Sequence, residues 1–110
     1  MRISEFSKKY GVDKRTIDYW TNCGFLHPQV NKTNGYREYG PEAEKEIKLL
    51  LIAKAMDIGS MEETFESLNY PPMYKSLFKK YVIHRLEERK QIEMARFNDA
   101  IQYAKELPED

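Results

Sequence analysis

The sequence has 110 residues, of which 41% are hydrophobic and 33% are charged, and its formal net charge is zero. This apolar fraction excludes a disordered tail, and the absence of any run of about 20 apolar residues excludes a membrane-spanning helix. A single cysteine excludes an intrachain disulfide and a multi-cysteine metal site. No signal-peptide pattern is present at the start of the sequence, so we expect one small cytoplasmic domain.

The charges are unevenly distributed along the chain. The first 40 residues contain seven basic and four acidic residues, whereas residues 41–70 contain three basic and seven acidic ones. A basic head is compatible with an anionic partner such as nucleic acid, although the asymmetry alone does not identify that partner.

Two short helices are predicted at the N-terminus. Apolar residues recur at helical spacing up to Tyr10, and Gly11 ends this helix because glycine readily adopts a positive φ. Asp13 is a favourable N-cap for a second helix, whose inner face carries Ile17 and Trp20. Two short helices joined by a tight glycine turn predict a helix-turn-helix unit.

A β-hairpin is predicted next. Asn34-Gly35 favours a type I′ turn, because both residues tolerate a positive φ. The flanking residues 29–32 and 36–39 are short and aromatic enough to form two strands. We expect a small β-wing that carries Lys32 and Arg37 near its tip.

Two further helices follow the predicted hairpin. Pro41 suits the first turn of a third helix, which we expect to end at Ile58-Gly59. Ser60 and Glu63 have the spacing of a capping box and therefore predict the start of a fourth helix.

A long terminal helix is predicted from Met73 to about Leu107, where no glycine or proline occurs. One face approximates a coiled-coil seam with a polar break at Lys90. The chain offers no other element to cover this seam, so we expect a homodimer, parallel or antiparallel. The predicted dimerisation residues are Ile83, Leu86, Met94, Phe97, Ile101 and Ala104.

Several ordered segments resemble the MerR family of bacterial transcriptional regulators. The segments are residues 3–12, 14–20, 24–28, 34–39 and 58–63, and the terminal helix matches in kind only. The resemblance implies a mostly α-helical fold with a winged helix-turn-helix DNA-binding domain at residues 1–70. It also implies a dimerisation helix at residues 71–110 that forms an antiparallel coiled coil.

The same resemblance implies a function. Such a protein would bind double-stranded DNA as a homodimer, at a pseudo-palindromic promoter operator, and would regulate transcription. RNA polymerase at the promoter is a further expected partner. Many family members distort a promoter that has an overlong spacer, and others repress.

Candidate DNA-binding residues follow from the predicted helix-turn-helix and wing. A recognition helix reads the major groove mainly with its N-terminal residues, and an arginine there can bind guanine or phosphate with two hydrogen bonds. We therefore place Arg15 first in the second helix and Arg37 first in the wing. The full set is Lys14, Arg15, Thr16, Asp18, Tyr19, Lys32, Asn34, Tyr36 and Arg37, with Lys54 in the third helix as a candidate for a phosphate contact.

Two features depart from the family pattern. Family members usually carry a basic residue where this chain has Asp18, whose carboxylate would repel phosphates but could accept a hydrogen bond from cytosine. The chain also lacks the drug-binding domain and the cysteines that follow the long helix in other members. We therefore expect no effector of those kinds and no cofactor.

The remaining residues are assigned to packing. Cys23 is expected to be packed or partly buried, and Tyr39 is expected to pack the hairpin against the head. The predicted core is Phe6, Val12, Ile17, Trp20, Leu26, Ile47, Leu50, Phe65 and Leu68. No third ligand accompanies His27 or His84 in a metal-binding pattern, and no catalytic motif is present, so we expect neither a metal site nor an enzyme.

Two other functions stay open at this point. An excisionase-like architectural DNA-binding factor would suit the small size of the chain. A protein-interaction module with a degenerate helix-turn-helix would suit its zero net charge and Asp18.

Overall fold

A computed structural model describes residues 1–57, 60, 63 and 75–109, with the backbone alone for residues 75–78. Within these residues, the chain forms a helix pair, a hairpin and two longer helices. The elements are α1 (Ile3–Tyr10), α2 (Lys14–Asn22), β1 (Gln29–Val30), β2 (Arg37–Glu38), α3 (Pro41–Met56) and α4 (Lys75–Lys105). The predicted fold, mostly α-helical with a winged helix-turn-helix and a long terminal helix, is confirmed.

The turn between α1 and α2 has the predicted chemistry. Gly11 adopts a left-handed conformation with φ 65°, and its N–H donates to the Ser7 carbonyl at the end of α1. The Asp13 carboxylate accepts the N–H of Thr16 at 2.8 Å and so caps the start of α2. This hydrogen bond lowers the pKa of Asp13. The two helices are therefore joined by a fixed, capped turn.

The hairpin is present, but its turn differs from the prediction. The strands are antiparallel, with Gln29 opposite Glu38 and Val30 opposite Arg37. Gly35 has φ 72°, whereas Asn34 has no positive φ, so the turn is not type I′. The Asn31 side chain accepts the Thr33 N–H at 2.8 Å, and the Asn31 carbonyl accepts the Gly35 N–H at 2.7 Å.

Those hydrogen bonds explain the wider loop of the hairpin. The carboxamide of Asn31 holds the turn, so only the glycine needs a left-handed backbone. The strands are correspondingly shorter than expected, with two residues each.

Helix α3 begins as predicted but ends earlier. Pro41 occupies its first turn, and the helix ends at Met56, because Asp57 adopts a left-handed conformation with φ 50°. The predicted end at Ile58-Gly59 was thus too late for this helix. The Glu63 N–H donates to the Ser60 hydroxyl at 3.1 Å, which confirms one hydrogen bond of the predicted capping box. The candidate core residues Phe65 and Leu68 lie outside the described residues.

The core joins α1, α2, the end of the hairpin and α3. Tyr39 lies at its centre with 0% exposure, stacks on Phe6 at a centroid distance of 4.7 Å, and shares a hydrogen bond with the Thr21 hydroxyl at 3.1 Å. The predictions for the described core residues and for Tyr39 are confirmed. The buried members of the cluster are Phe6, Val12, Ile17, Trp20, Leu26, Tyr39, Ala43, Ile47 and Leu50.

Cys23 contradicts the prediction of a packed or partly buried thiol, because it is exposed. It stands at the C-terminal end of α2, where its backbone N–H donates to the carbonyl of Tyr19 at 2.9 Å. The backbone of Cys23 therefore ends the helix, while its side chain lies on the solvent side.

Helix α4 contacts the end of α3 through its first turns. Val82 is buried, the Arg85 Nε donates to the Met56 carbonyl at 3.2 Å, and Arg89 lies 3.3 Å from the Asp57 carboxylate. From Met94 to the end of the described residues, every residue of the chain is exposed. No helix in the described part of the chain combines the length and apolar character needed to cross a membrane.

Candidate nucleic-acid interface

The outer face of α2 presents the residues predicted to read DNA. Ile17 and Trp20 are buried in the core, and the helical period therefore turns the intervening positions outward. Lys14, Arg15 and Asp18 are exposed. Two further members of the predicted set lie on the same helix: Tyr19 is 62% exposed and Thr16 is half-buried.

Three cations on this side of the molecule lack a carboxylate partner. Within the part of the chain that the structure describes, no ion pair forms at Lys14, Arg15 or Lys32. The first two begin α2, and Lys32 lies in the exposed loop of the hairpin. Their charges are thus available to an anionic ligand.

The wing is tied to α2 by an ion pair that the sequence did not predict. The Arg37 Nη1 lies 3.2 Å from the Asp18 Oδ1, and its Nη2 donates to the Asn22 Oδ1 at 3.4 Å. Asp18 and Arg37 were predicted as separate DNA contacts, but the fold places them against each other. They lie 19 residues apart in sequence, so no local pattern could have indicated the pair.

The chain start holds the other side of the wing. The carbonyl of Met1 accepts the Tyr39 N–H at 2.7 Å, and the Arg2 Nε donates to the Glu38 carboxylate at 3.1 Å. The Arg2 guanidinium also lies 4.2 Å from the ring centroid of Tyr36, which is 57% exposed. Asn34, another predicted contact, is exposed in the loop.

A second group of polar contacts joins α3 to α1. Glu44 accepts a hydrogen bond from Lys9 and another from the Tyr10 hydroxyl at 2.9 Å. The hydrogen bond to Lys9 lowers the pKa of Glu44 and raises that of Lys9. These contacts join α1 to the first turn of α3 and so set the position of the helix pair.

His27 makes a comparable contact with α3. The Glu46 carboxylate accepts the His27 N–H at 2.9 Å and contacts its ring Nδ1, which raises the pKa of His27. Glu42 lies one turn earlier on α3, and potential ligand atoms of the three residues lie within 4.8 Å of one another. The sequence analysis missed this group, although the spacing of the two glutamates on one helix face was a signal.

Lys54 is the predicted DNA contact on α3. It is exposed near the end of α3, about 20 Å along the helix from Pro41 at 1.5 Å per residue. There it lines a groove of about 390 Å³ together with Asp57, Arg89 and Lys90. Its role in binding phosphate stays a prediction.

The predicted dimerisation face of α4 is exposed in the single chain. The exposed fractions are 45% for Ile83, 50% for Met94, 68% for Phe97 and 53% for Ile101. Ala104 is also exposed, and Leu86 is half-buried. An apolar face of this kind is typical of an interface that another chain covers.

Comparison with known proteins identifies the same region. Residues 1–59 match the model of the family described as MerR HTH family regulatory protein. The chain is 43% identical over 53 residues to the HTH-type transcriptional regulator CueR of Bacillus subtilis (strain 168), covering 48% of this chain and 36% of the relative.

Two other relatives extend or repeat this match. CueR of Salmonella typhi is 29% identical over 91 residues, covering 80% of this chain and 65% of the relative. The HTH-type transcriptional regulator HmrR of Sinorhizobium medicae (strain WSM419) is 32% identical over 68 residues, covering 62% of this chain and 45% of the relative. The chain thus spans between about one third and two thirds of the length of these relatives.

Proposed function

Because this chain belongs to the MerR family of helix-turn-helix regulatory proteins, we propose that it is a sequence-specific DNA-binding transcriptional regulator that acts as a homodimer. The observation that carries the proposal is the outer face of α2 next to a β-wing, where Lys14 and Arg15 are exposed and form no ion pair with any residue that the structure describes. The relatives are themselves named as HTH-type transcriptional regulators.

The chemistry of this face suits double-stranded DNA. The major groove admits an α-helix, and the first residues of that helix reach the base edges. Arg15 can bind guanine or phosphate with two hydrogen bonds, and Lys14 supplies a second positive charge beside it. Lys32 in the wing would contact the adjacent backbone.

The apolar face of α4 supports the dimer. Helix α4 has 31 residues and is therefore about 46 Å long at 1.5 Å per residue. Half-sites read by paired helix-turn-helix units lie about 34–36 Å apart, or one turn of DNA. Membership of the family implies antiparallel pairing of α4, which would place the two heads at opposite ends of this rod on a pseudo-palindromic operator.

RNA polymerase is the further partner that we propose for the promoter-bound dimer. The proposal follows from the regulatory function of the family, because a regulator that alters transcription at a promoter acts on the enzyme bound there.

A binding experiment tests the proposed function. The full chain is titrated against DNA from its own upstream region and against random duplex, at several salt concentrations. We expect preference for one site and an affinity that falls as salt rises, because phosphate contacts release counterions. Equal binding to both duplexes, or binding that ignores salt, would contradict the proposal.

Two variants sharpen this test. Arg15→Ala should weaken binding to the preferred site by about 5- to 150-fold, because a two-bonded base contact contributes about 1–3 kcal/mol. Lys105→Ala removes the same charge from the exposed end of α4 and should change affinity little. Equal losses of affinity in the two variants would show that only the number of positive charges matters. A complex with one protein chain on the DNA would favour an architectural factor.

A further inference from the structure

The ion pair between the wing and α2 suggests a role for Asp18. We propose that Asp18 is a positioning residue, which fixes Arg37 of the wing against the recognition helix and does not itself read a base. This inference rests on the DNA-binding function proposed above. It accounts for an acidic residue at a position that faces the candidate DNA surface.

Two residues on one face of α2 form the contact with Arg37. Asp18 and Asn22 lie one turn apart on α2, and each accepts a hydrogen bond from a different terminal nitrogen of Arg37, at 3.2 and 3.4 Å. A planar guanidinium can reach two acceptors in this way, whereas a lysine ammonium would supply a single point charge. The geometry therefore fixes the direction of the Arg37 side chain along α2.

The wing depends on such contacts for its orientation. Each strand has two residues, and both residues of β1 are exposed. A two-stranded hairpin of this size is marginally stable by itself, so its position must come from contacts with its neighbours. Arg37 supplies the contact with α2, while Glu38 binds Arg2 on the other side.

The pair also removes an electrostatic objection to DNA binding. An isolated carboxylate at position 18 would repel phosphates, but here the guanidinium of Arg37 balances its charge at 3.2 Å. Reading a cytosine would require Asp18 to give up that partner. Lys14, Arg15 and Lys32, which form no ion pair within the described residues, then supply positive charge to the surface.

This assignment predicts how the two residues act together on DNA. A fixed wing places Lys32 at a defined phosphate when Arg15 is in the groove. Loss of Arg37 should therefore reduce the ratio of affinities for the preferred site and random duplex by about two- to fivefold, as expected for an exposed ion pair. Loss of Asp18 should reduce this ratio by the same factor or less, because Arg37 then keeps its hydrogen bond to Asn22.

The experiment compares Asp18→Ala, Arg37→Ala and the double variant, with Glu5→Ala as a control that removes one exposed carboxylate from α1. The measured quantities are that affinity ratio and the base preference in oligonucleotides selected from a random pool. We expect a reduced affinity ratio in each single variant, a ratio in the double variant equal to that of Arg37→Ala, and an unchanged base preference in all three. The control should keep the wild-type ratio.

Two outcomes on DNA would overturn the inference. If Asp18→Ala relaxes the base preference at one base pair, both in the wild-type protein and in the Arg37→Ala background, then Asp18 reads a base. Reductions that multiply in the double variant would show that the two residues act independently.

A measurement without DNA separates this inference from the proposed function. Residual dipolar couplings of the β1 and β2 amides report the orientation of the wing relative to α2. We expect them to change in Asp18→Ala and Arg37→Ala and to stay constant in Glu5→Ala, and constant values in all three variants would overturn the positioning role. If the wild-type protein binds all duplexes equally, the proposed function fails, while these couplings still decide whether Asp18 positions the wing.

Discussion

Replacing Tyr39 with alanine should destabilise the head strongly. The side chain is fully buried and stacks on Phe6 at 4.7 Å. A buried aromatic side chain removes roughly 150–250 Å² from water, which corresponds to about 4–6 kcal/mol at about 25 cal/mol per Å². Alanine retains part of this area, so the expected loss in the free energy of unfolding is about 3–5 kcal/mol, in line with other large-to-small aromatic substitutions.

Tyr39→Phe is the matched control for this substitution. The Tyr39 hydroxyl lies 3.1 Å from the Thr21 hydroxyl, which donates its own hydrogen to the Ile17 carbonyl at 2.8 Å. Thr21 therefore stays hydrogen-bonded when the phenolic hydroxyl is removed. The expected loss is about 1 kcal/mol or less, because a typical hydrogen bond contributes about that much to stability.

Urea denaturation of the three proteins, followed by circular dichroism, measures these differences. Because small domains are stable by only about 5–15 kcal/mol, Tyr39→Ala should unfold at a much lower urea concentration than Tyr39→Phe. Equal midpoints for the two variants would refute the argument that ring packing, and not the hydroxyl, holds the wing end of the core.

Three further predictions concern separate parts of the molecule. Asp13→Ala should lower the thermal midpoint at neutral pH, and the difference from wild type should disappear in acid. The pKa of Asp13 is lowered in the folded protein, so the stabilisation is lost as pH falls through that pKa. A difference in thermal midpoint that stays constant with pH would contradict the cap. His27→Ala should destabilise the protein most below about pH 6.5, the usual histidine pKa, and progressively less as pH rises through the raised pKa of the folded protein. Thermal melts between pH 6 and 9 measure this dependence. A loss of stability that grows with pH would contradict the contact with Glu46. Phe97→Asp should convert a dimer into a monomer, as measured by sedimentation equilibrium, while Ala95→Asp on the opposite face of α4 should leave the dimer intact. An unchanged mass for Phe97→Asp would contradict the apolar interface.

The helices and much of the core were predictable because their signals are local. Helical spacing separated the buried Ile17 and Trp20 from the exposed Lys14 and Arg15. A glycine marked the end of α1, and a capping residue marked the start of α2. These features need only a few neighbouring residues. The candidate DNA-reading face of α2 could therefore be predicted from the sequence.

The details of the hairpin were not predictable from the same kind of signal. Asn34-Gly35 marked the hairpin correctly, but a side chain three positions earlier, Asn31, decides the turn geometry. Similarly, Asp18 meets Arg37 only because the wing folds back onto α2. Contacts between residues distant in sequence depend on the assembled fold, which a local pattern does not contain.

A footprint of the full chain on DNA from the organism that encodes it tests the central claim most directly. Two heads held apart by paired α4 helices should protect one promoter site with twofold symmetry, and the centres of its half-sites should lie about one helical turn apart. Protection of a single unpaired half-site, or no defined site at any salt concentration, would contradict a dimeric sequence-specific regulator.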